Sequence, residues 1–274
     1  MTIRPKSAMK HALRAMTDPV NAKSLFLTVL CLKAWAGAKF GRWTASKEVM
    51  LDLKHLRLCV DISRADLVGY WEVWHDRCYD AIDLDRPQCV VDVGANIGAF
   101  SLYQAMVKHA ERVIAFEPSP QTFRRTAKNV EINGLKNVRL VNAAVGDKRG
   151  VLSFSEDPMS ILCQVSESGS LKVPCVTLDD ELRDVPNIDI LKIDTEGYET
   201  HVLRGASETL KKTKRIAFEL HYRGEQQEIE SILFPLGFSL AKVHAGLAFY
   251  CATTPLNPEQ TLLRPDSVSA LDSA

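Results

Sequence analysis

The stretch Val90-Val91-Asp92-Val93-Gly94-Ala95-Asn96-Ile97-Gly98-Ala99-Phe100-Ser101-Leu102 decides the fold. Its β-branched residues read as a buried strand, 88–93 in full, that ends in an acidic residue and a glycine turn. A helix is predicted from Ile97 to about His109, and the pattern then repeats. RVIAFE (112–117) is a second strand, a second helix runs from Ser119 to about Asn133, and NVRLVNAAV (137–145) is a third strand. A polar stretch at 150–182 interrupts the rhythm, with two short strands around a Ser-rich loop at 166–170. The rhythm resumes with IDILKID (188–194), a helix from Glu199 to Lys211, RIAFELH (215–221) and a helix from Glu225 to Phe234. FSLAKVH (238–244) and LAFYCAT (247–253), joined by Ala245-Gly246, close the pattern as an antiparallel hairpin. Strands separated by helices of this length imply right-handed crossovers and a mainly parallel sheet, an α/β architecture with helices on both faces.

In such a sheet a ligand sits beyond the carboxyl ends of the strands. At the first of these ends Gly94 permits a sharp turn, Gly98 permits close packing or close ligand approach, and the following helix offers backbone N–H groups. The turn reads G-x-N-x-G, with Asn96 where a G-x-G-x-x-G dinucleotide fingerprint carries its second glycine, and G-x-x-x-x-G-K-[ST] is absent from the chain. Asp92 would repel a pyrophosphate; it suits ordering of the loop or a cationic ligand, and S-adenosylmethionine is such a ligand. The second strand ends in Glu117-Pro118, where a carboxylate can accept both ribose hydroxyls of an adenosine cofactor, a contact NAD would use equally. Asn142 and Ala143, at the end of the third strand, are placed to meet the adenine edge.

VVDVGANIGAFSL (90–102), AFEPSPQTFRRTAKNVEINGLKNVRLVNAAVGD (115–147), VPCVTLDDEL (173–182) and DILKIDTEGYETHVLRGA (189–206), in this order, resemble the FkbM-type S-adenosylmethionine-dependent methyltransferases. The resemblance spans about residues 66–252. It implies a Rossmann-like class I methyltransferase fold: a seven-stranded, mostly parallel sheet of order 3-2-1-4-5-7-6 with an antiparallel seventh strand. It also implies that Asp92, Gly94, Asn96 and Gly98 line the methionine part of the cofactor, Glu117 the ribose and Asn142 the adenine region, with Ala95, Pro118 and Ala143 beside them. The implied reaction moves a methyl group from S-adenosylmethionine to a hydroxyl of a sugar, glycan, glycolipid or polyketide-type acceptor.

Such a transfer needs alignment of the oxygen with the methyl group and, for an alcohol, removal of a proton. Candidates lie at the ends of the fourth and fifth strands. The fourth carries Lys192, Asp194 and Glu196, the first two on one side by strand alternation. Either Asp194 or Glu196 could orient or deprotonate a hydroxyl, cap the following helix or pair with Lys192. The fifth carries Glu219 and His221. An imidazole with an ordinary pKa near 6.5 makes His221 the natural general base, unless it is a rim histidine bonded to a loop. Asp194, Glu196 and Glu219 offer oxygen ligands to Mg²⁺, but no spacing fixes a metal site and none is expected.

The 274 residues contain 34 Lys or Arg and 34 Asp or Glu, a balance unlike that of a dedicated nucleic-acid binder. The mean hides an imbalance, because residues 1–48 hold nine basic residues against Asp18 and Glu48, leaving +7 there and −7 in the remainder. The run SLFLTVLCL (24–32) is broken by Lys33, too soon for a membrane span. It reads as a helix packed on the core, a basic interfacial helix or a cleaved signal. Seven scattered cysteines without a Cys-x-x-Cys pair point to a reducing compartment. The expected organisation is a basic extension with a helix and a hairpin (1–65), a methyltransferase domain (66–253) and a disordered tail (254–274). The expected location is cytoplasmic, with peripheral contact at the inner face of a membrane open through the basic arm. No nucleic-acid partner is expected, and the oligomeric state is not legible. Two other classes stay open: a nicotinamide-dependent oxidoreductase and a non-catalytic cofactor-binding scaffold.

Overall fold

A computed structural model describes residues 48–53, 55–64, 66–156, 163–244 and 246–253. The arm helix expected before residue 48 and the tail after residue 253 lie outside the described residues. Strands β1 (Glu48–Leu53) and β2 (Leu56–Asp61) form an antiparallel hairpin with Glu48 opposite Asp61. One turn of helix α1 (Leu67–Tyr70) then passes into a π-helical turn, Trp71–His75. The helical spacing of Tyr70, Trp71, Trp74, Cys78 and Ile82 predicts a single aromatic-faced helix over 66–82, and this does not form. Arg77 takes a left-handed φ of 55°, which ends the helix, and a separate 3₁₀ turn follows at Asp80–Ile82. The aromatic residues still pack inward: Trp74 meets Tyr103 edge-on at 5.4 Å, and its indole N–H donates to the Ala99 carbonyl at 3.0 Å.

The main sheet begins with β3 (Cys89–Val93), α2 (Ala99–Met106), β4 (Arg112–Phe116), α3 (Pro120–Ile132) and β5 (Val138–Val141). Helix α3 starts where the sequence places it, because the Ser119 hydroxyl accepts from the Thr122 N–H and Pro120 occupies the first turn. The single third strand expected over 137–145 is two. After β5 the chain leaves the sheet at Asn142-Ala143, and β6 (Ala144–Val145) joins a second sheet with β7 (Gly150–Ser155), β8 (Gln164–Val165) and β9 (Leu171–Val176), in the order β6-β9-β7-β8. Three strands thus occupy the polar stretch where two were expected.

Helix α4 (Leu178–Glu181) leads to β10 (Ile188–Ile193), α5 (Glu199–Arg204), α6 (Ser207–Leu210), β11 (Thr213–Glu219), α7 (Glu225–Leu233), β12 (Phe238–His244) and β13 (Leu247–Ala252). The seven-stranded sheet has the order β5-β4-β3-β10-β11-β13-β12, which is 3-2-1-4-5-7-6 when only its own strands are counted. The first five strands run parallel and β13 is antiparallel to both of its neighbours. Alternate residues feed opposite layers. Val91, Leu191 and Ile216 pack against Leu203, Ile229 and Leu233, whereas Val90, Ile190 and Ala217 pack against Phe100, Tyr103 and Phe249. Burial on both faces is why the central strands read as unbroken apolar runs.

The helix expected over 199–211 breaks into α5 and α6 at Gly205. A Cβ at this position would lie 2.0 Å from the Gly146 carbonyl oxygen, so only glycine lets the second sheet's entry loop approach. Gly205→Ala is predicted to destabilise the fold by about 1–3 kcal/mol, the range for forced overpacking. Urea unfolding measures it, and a midpoint unchanged from the parent protein would refute this account.

Candidate active site

The site is built from the carboxyl ends of β3, β4, β10 and β11. Gly94 has φ of +77°, and a Cβ there would lie 1.8 Å from the Asp194 carbonyl oxygen, so the turns after β3 and β10 lie directly against each other. The N–H groups of Gly94 and Ala95 both donate to the Phe116 carbonyl, at 3.0 and 2.9 Å, which folds the turn over the end of β4. Asn96 adopts a left-handed φ of 49°, and its N–H donates to Glu117 Oε2 at 2.9 Å. Gly98 packs against Thr126 of α3.

Glu117 is buried, and its other oxygen accepts from the Ser119 N–H at 2.9 Å. Burial pushes its carboxyl up to about 7 although both N–H donors favour the anion. Each oxygen accepts one backbone donor and keeps a further lone pair, the capacity that two ribose hydroxyls require. Asn142 donates to the carbonyls of Glu117 (2.8 Å) and Pro118 (3.1 Å), so its amide nitrogen shapes the backbone of this wall; Ala143 is buried beside it.

Asp92 lies beneath the turn rather than at its surface. It is fully buried, accepts from the Ser101 hydroxyl at 2.6 Å and pairs with Lys192 at 3.2 Å. The side chain expected to line the methionine part of a cofactor is thus enclosed beneath the turn. Lys192 also reaches Asp194 at 3.2 Å and donates to the Gly94 carbonyl at 2.7 Å. Burial opposes its charge, but Asp194 and Asp92 together hold it more firmly protonated than an ordinary lysine.

His221 stands at the mouth of β11 with only 6% of its side chain exposed. Its Nδ1 is 3.5 Å from Glu196, and its Nε2 is 3.3 Å from Glu199 and 3.9 Å from Asp194. Burial works against a charge on this imidazole, but contact with Glu199 and the charges of Asp194 and Glu196 outweigh it and lift the pKa to about 10. The surrounding carboxylates thus favour the imidazolium form of the histidine expected as a general base of ordinary pKa. The charge of Asp194, then burial, raises Glu219 to about 9; burial and Asp194 raise Glu196 to about 8. Glu196 has a left-handed φ of 57°, an uncommon conformation for this residue type that a site can use to aim a side chain.

Three residues of this mouth escaped the sequence reading. Glu199 is fully buried, and its Oε1 accepts from the N–H and hydroxyl of Thr195 (2.7 and 2.9 Å) and from the Gly197 N–H (3.3 Å). Despite burial, these bonds and His221 lower it to about 2. Burial, together with hydrogen bonding to Glu199, raises Glu225 to about 7, and Glu225 accepts from the backbone N–H of His221. Tyr79 donates to Asp194 at 3.5 Å. An acid at the first position of a helix after a glycine, as in Thr195-Glu196-Gly197-Tyr198-Glu199, was the available signal for Glu199. Asp194, Glu219 and His221 each place a ligand atom within 4.8 Å of the others, a set among the described residues that could hold a metal ion. It draws on two separate strands, so no local spacing announces it.

The family model for the methyltransferase FkbM domain matches residues 92–240. "Methyltransferase 1" of Beauveria bassiana is 30% identical over 162 residues, covering 49% of this chain and 64% of its own length. "Hexuronic acid methyltransferase AglP" of Haloferax volcanii is 28% identical over 146 residues, covering 52% and 59%. "31-O-demethyl-FK506 methyltransferase FkbM" of Streptomyces tacrolimicus is 28% identical over 211 residues, covering 62% and 81%. The chain thus spans somewhat under two thirds of the length of the Beauveria and Haloferax relatives. The matched region begins at Asp92, in the strand that carries the glycine turn, and extends into β12, taking in all four strand ends that form the mouth: the chain belongs to the methyltransferase FkbM domain family.

Proposed function

We propose that this chain transfers a methyl group from S-adenosylmethionine to a hydroxyl of a sugar, glycan, glycolipid or polyketide-type acceptor. The observation that carries the reading is the contact between the Gly94 turn and Asp194, which makes the adenosine-compatible wall at Glu117 and the carboxylate cluster of β10 and β11 two sides of one mouth. S-adenosylmethionine would supply the methyl group already activated on a sulfonium, so the chain's own tasks are binding, alignment and proton removal. Glu117 would accept the ribose hydroxyls, and Ala95-Asn96 and Pro118, Asn142 and Ala143 would form the walls on either side.

Five carboxyl groups (Asp92, Asp194, Glu196, Glu199 and Glu219) face two cationic side chains, Lys192 and His221. Carboxyl groups outnumber the cationic side chains at the mouth, which favours a cation there. Asp194, partly exposed, would take the proton of the acceptor hydroxyl, and Glu196, raised to about 8 and so protonated at neutral pH, would orient the oxygen, while the His221 imidazolium steadies both. The names of the Haloferax and Streptomyces relatives, a hexuronic acid methyltransferase and a 31-O-demethyl-FK506 methyltransferase, support the acceptor classes. The +7 arm favours an anionic or membrane-associated glycan and a place at the cytoplasmic face of a membrane. No helix among the described residues is long and apolar enough to cross a membrane.

S-adenosylhomocysteine should bind with a Kd on the order of micromolar, and Glu117→Gln should weaken it by at least ~10-fold. Because ribose hydroxyls need the ionised carboxylate and Glu117 titrates at about 7, affinity should be full above that pH and fall by up to about tenfold per unit below it. Calorimetric titration between pH 5 and 8 checks this; an equal pH dependence in Glu117→Gln would assign the effect elsewhere. NAD⁺, titrated in parallel, should not bind.

Methyl-labelled S-adenosylmethionine offered with hexuronic-acid glycans and macrolides should leave label in an alkali-stable ether. Asp194→Asn should cut that turnover by about 10²-fold or more while S-adenosylhomocysteine still binds within a few-fold of the parent. Label recovered on nitrogen, or undiminished turnover in the variant, would defeat the assignment.

A further inference from the structure

The inner face of α3 is polar although it is buried. Thr122, Arg125, Thr126 and Asn129, which follow one another at helical spacing, are all enclosed. An apolar stripe would be the ordinary content of such a face, so each of these groups should have a partner. Thr126 donates to the carbonyl of Asn96 in the glycine turn. Asn129, one turn further on, uses its whole side-chain amide. Its oxygen accepts from the Cys59 N–H at 2.6 Å, and its nitrogen donates to the Cys59 carbonyl at 3.1 Å and the Ile97 carbonyl at 3.0 Å. Toward β2 the amide acts as the next strand would, and its remaining hydrogen holds the turn.

Two further contacts join the same parts. The Ile97 side chain, 1% exposed, packs in one cluster with Leu58, Val60, Leu67 and Trp71, so the turn contributes a residue to the core of the hairpin. Arg125 pairs with the fully buried Asp66 at 2.9 Å, and Asp66 accepts from the Asp61 N–H at 2.8 Å, where β2 ends. The turn is therefore fixed on its outer side by the hairpin as well as by β4.

We propose that Asn129 is a positioning residue that locks the Gly94–Gly98 turn to the β1–β2 hairpin, so that hairpin and cofactor affinity are coupled. The proposal rests on the reading of this turn as the cofactor site. Coupling of this kind is reciprocal: if an ordered hairpin favours the ligand, the ligand orders the hairpin to the same degree. A residue that merely filled space would change stability and leave the ligand's effect on the hairpin alone.

The test uses the full chain with S-adenosylhomocysteine as probe. In the parent protein, bound S-adenosylhomocysteine should slow amide hydrogen exchange over residues 56–61, and most at the Cys59 N–H, by about tenfold at saturation. Asn129→Asp keeps the shape and the acceptor but lacks the two N–H donors. At a temperature where circular dichroism shows it folded, its affinity should be at least ~10-fold weaker and the slowing over 56–61 should vanish. Ile97→Val keeps the amide contacts and trims one methylene, serving where the first variant fails to fold; it should weaken binding by roughly threefold. Binding by the parent without slowing over 56–61 would overturn this inference alone, as would a lower melting temperature in Asn129→Asp with unchanged affinity. If the parent does not bind S-adenosylhomocysteine at all, the cofactor reading fails and the inference falls with it.

Discussion

The buried ammonium of Lys192 is the interaction on which the mouth depends. It donates to the carbonyl of Gly94 in the turn and pairs by charge with Asp92 on β3 and Asp194 beyond β10. Desolvating a lysine costs several kcal/mol unless opposite charge surrounds it. Here the fully buried Asp92 would itself be too costly to enclose without the lysine. Removing Lys192 or Asp92 would leave a buried charge uncompensated, so β3 and β10 are held together at their carboxyl ends by charge as well as by the backbone ladder. The Gly94 turn follows from this arrangement. Its carbonyl must reach Lys192 while its Cα touches the Asp194 carbonyl, which no residue with a Cβ can do.

From that centre, charge is passed outward in alternating sign. Asp194 meets Lys192 on one side and His221 on the other; His221 meets Glu196 and Glu199. Glu199 in turn shares its buried environment with Glu225 and holds the backbone of Thr195 and Gly197. Asp194 and Glu219, close together at the mouth, cannot both ionise easily, and the second carries the shift. The protonation of every member is thus a property of the set. This is why an imidazole that looks like a free base in isolation is a cation in place.

Much of the fold was legible because its signals are local. An apolar run ending in Asp92-Val93-Gly94, followed by a helix, can hardly be read another way, and the closing hairpin around Gly246 carries its own turn residue. Two of the three failures share a cause. The helix over 66–82 stops at Arg77, the third strand divides at Asn142-Ala143, and the helix over 199–211 breaks where Gly146 approaches Gly205. The last two are imposed by the second sheet, whose pairing joins residues far apart in the chain, and no window of local periodicity contains that information. The site divides in the same way. Gly94, Glu117 and Asp194 could be picked out because strand ends are where ligands sit. Glu225 and Tyr79 could not, since their relevance lies in what they touch, and Glu199 offered only its place at a helix start.

The polar inner face of α3 belongs to this second kind of information, and it changes how the hairpin is understood. Read along the chain, β1 and β2 precede the family's matched region and look like an accessory. In space, Cys59 is bonded to Asn129 and Leu58 and Val60 pack with Ile97, so the hairpin completes the support of the turn that the methyltransferase core begins. An amide at Asn129 meets this need better than any apolar residue: two backbone carbonyls and one N–H converge where only a side chain with two donors and an acceptor can satisfy all three. The buried polar residues of FRRTAKNVEIN (123–133) are therefore a consequence of where the hairpin lies. They link a segment outside the matched region to the geometry at its centre.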